Sequence, residues 1–150
     1  MSQNDRPPAE FVSAGWKSVY RIAGLSFGII FATVGVVFLV CPASVVLFFN
    51  SVAGRWGMRE SPPPEASLYI ALAAAYMYVV TVLALGMYFR PGEKLYPVLL
   101  VQAKSASAVL SLMLCIVAGA QLILVSNTIV DAVIALAVAY IGYRGRKRPG

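Results

Sequence analysis

The chain has 150 residues, of which 60% are apolar and only 12% charged, with a net charge of +6. A soluble domain averages about 25% charged residues, so this balance and a mean hydropathy of +0.80 place the chain mainly in lipid. Its basic residues gather at the ends of apolar runs, where they act as topology signals rather than as a nucleic-acid surface. No histidine is present and the two cysteines, Cys41 and Cys115, form no CxxC motif. Metal centres and dithiol relays therefore have no support in the composition.

A hydrocarbon core roughly 30 Å thick needs about 20 apolar residues per helix. Apolar runs at Ile22–Phe49, Leu68–Phe89, Leu95–Val125 and Ile129–Tyr143 account for most of the chain. The fold expected is all-α, a polytopic membrane protein with a four-helix transmembrane bundle. The organisation read from the sequence is a cytoplasmic segment at 1–18, a membrane domain at 19–143 and a basic tail at 144–150. Within the domain, spans are expected at 22–41, 68–89, 98–125 and 128–143.

Met1–Glu10 is polar and contains Pro7-Pro8, so it reads as a disordered start. From Phe11 to Tyr20, apolar residues recur on one helical face beside Lys17 and Arg21. That segment is either a membrane-surface helix or an early beginning of the first span, with Trp16 and Tyr20 at the headgroups. In the first span, Gly24, Gly28 and Ala32 form a small-residue stripe that lets a second backbone approach closely. Pro42 ends or kinks this helix because it offers no N–H to residue 38.

The long loop 50–67 holds Arg55, Trp56, Arg59 and the run Pro62-Pro63-Pro64-Glu65. In the second span, Tyr69 and Tyr88 suit the aromatic belts, whereas Tyr76 and Tyr78 lie deeper. A buried phenol needs a hydrogen-bond partner, so one of the inner tyrosines is expected to face the bundle.

The third run carries Gln102, Lys104 and Gln121, and small residues return at every fourth position: Ala103, Ser107, Ser111, Cys115 and Gly119. Ser126-Asn127 is the turn signal before the fourth run, which makes these two spans antiparallel neighbours. Thr128 to Asp131 matches a capping box, which would assign Asp131 to a helix N-terminus. Lys104 either snorkels to the cytoplasmic headgroups or faces the bundle and binds a carbonyl, a tyrosine or an anion. With a turn at Ser126, Lys104 would lie about 33 Å before it and Asp131 only about 7 Å after it. On that arithmetic the two charges stand near opposite membrane faces. Cys41 and Cys115 likewise differ in depth by about 15 Å, so both are expected as free thiols.

Four spans put both termini on one side, with Arg6, Lys17, Arg21, Arg90, Lys94, Arg144, Arg146, Lys147 and Arg148. Only Arg55 and Arg59 fall on the other. The positive-inside rule then makes both termini cytoplasmic.

The Ala23-Gly24 opening, Gly35, Phe38-Leu39 before Pro42, the tight last hairpin and the basic end resemble DoxX-like small four-helix bacterial membrane proteins. The resemblance implies a bacterial inner membrane and, for some members, quinone or thiosulfate redox chemistry. It supplies no catalytic residue here, and no cofactor is expected. Three functions remain open. One is a non-enzymatic component packing with itself or a membrane partner. Another is a small transporter or lipid-handling protein using Lys104 and the inner tyrosines. The third is a redox subunit with a quinone near Tyr76.

Overall fold

The computed structural model describes residues 12–62 and 67–146, with side chains omitted for 67–69. The starting segment as far as Phe11, the prolines at 63 and 64, the side chain of Tyr69, and Lys147 and Arg148 lie outside what is described. Five helices follow in order: α1 (Ala14–Val40), α2 (Pro42–Arg55), α3 (Ser67–Phe89), α4 (Leu95–Ala118) and α5 (Leu122–Gly145). Four of them, α1, α3, α4 and α5, are long and apolar enough to cross a membrane. The protein is a four-helix transmembrane bundle, with no β-sheet among the described residues. Its outer faces are apolar, as Ile116 at 76% and Val117 at 85% exposure illustrate. Such surfaces would be costly in water and are at rest against acyl chains.

The first span begins at Ala14 and runs without interruption through Trp16 and Tyr20 to Val40. Pro42 then opens α2 at its first turn, where the missing N–H costs no hydrogen bond. This helix extends to Arg55, so it takes up residues that the sequence suggested were loop. Asn50, inside this helix, holds the chain that folds back after it: its Nδ2 donates to the Ser61 carbonyl at 2.9 Å, and its Oδ1 accepts from the Ser61 N–H at 2.8 Å.

The bundle consists of two closely packed pairs, α1 with α3 and α4 with α5. Gly24 and Gly28 explain the first pair. A Cβ at Gly24 would come within 2.7 Å of the Ala84 carbonyl oxygen, and one at Gly28 within 2.8 Å of Leu85 Cδ2. The two pairs repeat one pattern of burial. Tyr20, Gly24, Gly28 and Phe31 on α1 have the spacing of Leu100, Lys104, Ala108 and Ser111 on α4. Val80, Ala84 and Met87 on α3 match Asp131, Ala135 and Val138 on α5. In this register Lys104 stands where the first pair has Gly24, and Asp131 where it has Val80. The second hairpin is thus a polar counterpart of the first.

The last reversal differs from the sequence reading. It lies at Gly119–Gln121, and Ser126, Asn127 and Thr128 are inside α5. Gly119 makes the turn with φ +89°, a region that costs residues with a Cβ. Arg59 reaches across from the long loop and donates from Nη1 to the Ala118 carbonyl at 2.9 Å. That contact satisfies one of the unpaired carbonyls at the α4 terminus and places a cation at the negative end of its dipole. At the opposite end, the Ser13 N–H bonds the Gly145 carbonyl at 3.0 Å, so the beginning of α1 and the end of α5 are tied together.

Gly24→Ala should lower the detergent melting temperature, with a loss of about 1–3 kcal/mol from overpacking against backbone atoms. Gly15→Ala, where a Cβ meets nothing within 4 Å, is the matched control and should not destabilise the protein. Equal melting temperatures for the two variants would refute the close α1–α3 contact.

Candidate functional site

Moving the reversal to Gly119 changes the depth of both intramembrane charges. Lys104 lies 14 residues before the end of α4 and Asp131 nine residues after the start of α5. At ~1.5 Å per residue these are about 21 and 14 Å from the turn. A lysine's flexible four-carbon stem spans the difference. Lys104 Nζ donates to Asp131 Oδ1 at 2.8 Å, and both side chains are 3% exposed. The expected separation of these charges is therefore corrected: they pair near the middle of the bundle. Snorkelling is corrected too, since the ammonium points inward. The capping box is absent as well. Thr128 Oγ1 donates back to the Leu124 carbonyl at 2.9 Å, and the Asp131 carboxylate is committed to Lys104.

Three of the four membrane helices converge on the ammonium besides its own. Phe31 from α1 presents its ring at 4.5 Å from Nζ to the centroid, and Tyr76 from α3 at 5.3 Å. Asp131 comes from α5. A cation beside aromatic faces gains about 2 kcal/mol or more when desolvated, which helps to offset burial of the charge. Tyr76 also donates its phenol proton to the Ala103 carbonyl at 3.0 Å, so its polar end is satisfied across the α3–α4 joint.

The small-residue stripe of α4 is used within the chain. Asn127 Nδ2 donates to Ser111 Oγ at 2.7 Å and to Ser107 Oγ at 3.3 Å, and this joins α5 to α4. Cys115 is half-buried and a free thiol, as is the exposed Cys41. Ala32 is exposed and lines an outward groove between α1 and α3 with Gly35 and Met77. Gln102 lies away from the charges, in a second groove that includes Tyr143 and Arg146.

A cavity of about 300 Å³ adjoins the ion pair. Tyr76, Lys104, Ser107, Asn127 and Asp131 supply its polar wall, with Phe31 and Met77 among its apolar lining. Asp131 Oδ2 is buried and has no hydrogen-bond partner, although Oδ1 is bound by Lys104. The arrangement can hold a polar group by hydrogen bonding inside an otherwise apolar bundle. Among the described residues, no group of three or more His, Cys, Asp or Glu is placed to hold a metal.

Phe31, Asn127 and Arg59 are the contributors that sequence reasoning missed. Phe31 resembled any lipid-facing aromatic, and Asn127 read as a turn residue. The Ser107/Ser111 spacing did mark a packing face, and a polar partner four residues from Asp131 was the available hint. No protein family, curated protein or solved structure matches the chain. The class defined by the fold is a small polytopic helical membrane protein.

Lys104→Met should destabilise the protein by about 3–5 kcal/mol, because it leaves Asp131 charged, buried and unpaired. The double variant Lys104→Met/Asp131→Leu should recover most of that loss. Denaturant unfolding in detergent measures both; a double variant as unstable as the sum of the singles would contradict the pairing.

Proposed function

We propose that this protein binds a small amphipathic molecule inside its helical bundle, as a carrier or lipid-handling protein without covalent chemistry. One observation carries the reading: a buried Lys104–Asp131 pair forms the wall of a cavity of about 300 Å³. Ionisable residues at this depth are costly and mark ligand or ion pathways by default. A pair needed for stability alone would gain from a filled, apolar surround, since replacing a buried pair by packed hydrophobic residues is often neutral or stabilising.

The rival readings have less support. The stripes that could serve association are occupied within the chain, Gly24 and Gly28 by α3 and Ser107 and Ser111 by Asn127. A homo-oligomer or a protein partner would have to use other faces. A quinone at Tyr76 would meet a phenol whose proton is already given to the Ala103 carbonyl.

The test is native mass spectrometry of protein released from its own membrane in mild detergent. Wild type should retain a bound small molecule, and Ala73→Phe, which fills the cavity wall, should lose it. Wild type free of any adduct would count against the reading.

The same proposal extends to location. The pattern of basic residues and the DoxX-like resemblance favour a bacterial inner membrane, with both termini cytoplasmic. Cys41, exposed at the end of α1, should then react with an impermeant maleimide added outside intact cells, in a Cys115→Ser background. Labelling solely after lysis would reverse the orientation.

A further inference from the structure

We infer that the ligand is a neutral, membrane-soluble molecule bearing a hydroxyl group, which reaches the cavity sideways from the bilayer and donates to Asp131 Oδ2. This inference rests on the interior-site reading above and specifies its ligand.

The polar half of the ligand follows from what the site has left to offer. Lys104 is engaged: Asp131 Oδ1 lies at 2.8 Å, and the rings of Phe31 and Tyr76 cover the ammonium. Asp131 is 2% exposed and its Oδ2 has no partner. A carboxylate oxygen only accepts, so the missing partner is a donor. An anionic headgroup would place its charge against this oxygen and compete for an ammonium already paired. An ammonium headgroup would add net charge to a site that is neutral as it stands, at a large desolvation cost. A hydroxyl donates one hydrogen bond and brings no charge.

The apolar half follows from the access route. The cavity is bounded by α1 and α5, which pack against each other only lightly. Ile30 on α1 and Val130 on α5 both line the cavity, yet are 50% and 53% exposed on the bundle surface. The seam between them therefore faces acyl chains, and a molecule dissolved in the bilayer reaches the ion pair without crossing water. The lining is mainly apolar, which suits an alkyl or ring body.

The deciding comparison uses wild-type protein in nanodiscs and four probes of one chain length: octanol, methyl octyl ether, octanoate and octylammonium. Binding is read as saturable protection against thermal unfolding and as adducts in native mass spectra. Octanol should bind about tenfold or more tightly than the ether, the difference made by one hydrogen bond to a charged acceptor. It should also exceed both ions. If octanol and its ether bind alike, or either ion binds best, the interior site stands and the hydroxyl inference falls. If none of the four binds, both the inference and the reading beneath it fail. In Lys104→Met/Asp131→Leu the preference for octanol over its ether should vanish, and its survival would overturn the role given to Asp131. Should that variant not fold, the wild-type series still decides.

Discussion

The contact between Lys104 and Asp131 constrains more of this molecule than any other. Two unit charges have left water, and only their mutual attraction, aided by the rings of Phe31 and Tyr76, makes that tolerable. Satisfying both ends fixes the rotation and the register of α5 against α4. It also draws in α1 and α3, because the rings that cover the ammonium come from those helices. At Lys104, side chains from the other three membrane helices meet a single ammonium. Packing in lipid lacks the hydrophobic drive that orders a soluble core, so such polar contacts and close backbone approaches carry more of the specificity.

The two hairpins solve the same packing problem with different chemistry. In the first, the α1–α3 contact is a matter of absence: Gly24 and Gly28 remove side chains and the backbones close in. In the second, a long cation stands at the position of Gly24 and its acid at that of Val80, and the serines of α4 are bridged by Asn127. A closely packed apolar half and a polar half thus face each other across the bundle. The cavity sits where they meet, walled by both. Dispersion closes the first half at Gly24 and Gly28, whereas hydrogen bonds in the second leave room beside them. This asymmetry is why the charged pair of the site belongs to α4 and α5.

The ends of the bundle are held by separate devices. Arg59, which a charge count assigns to topology, also closes the α4 terminus by bonding the Ala118 carbonyl. Its loop thereby docks on the reversal that sets the depth of Asp131. At the other end, the contact of Ser13 with Gly145 joins the first and last spans even though α1 and α5 are loosely packed between. A seam pinned at one end and lined by exposed aliphatic side chains is suited to opening along its length.

The sequence by itself determined the solvent, the number of spans and the small-residue faces. Unbroken apolar runs admit no other partner than lipid, and Gly24 and Gly28 at helical spacing mark a close approach whatever the neighbour. That one of Tyr76 and Tyr78 faces inward was legible because a buried hydroxyl must find an acceptor, but only the packed structure selects Tyr76 and leaves Tyr78 exposed. The tertiary structure alone decided where the last two spans reverse. Ser126-Asn127 is the more polar dipeptide, but polarity inside a bundle can be met by another helix, and Asn127 is met by Ser111. Gly119 can adopt a positive φ, and Arg59, distant in the chain, supplies the cap that lets α4 stop there. That shift of the turn brought two charges, which linear counting held at opposite faces, into one buried pair. Depth in a membrane is additive along a helix, so one misplaced turn moves everything after it; only the packed structure fixes the turn.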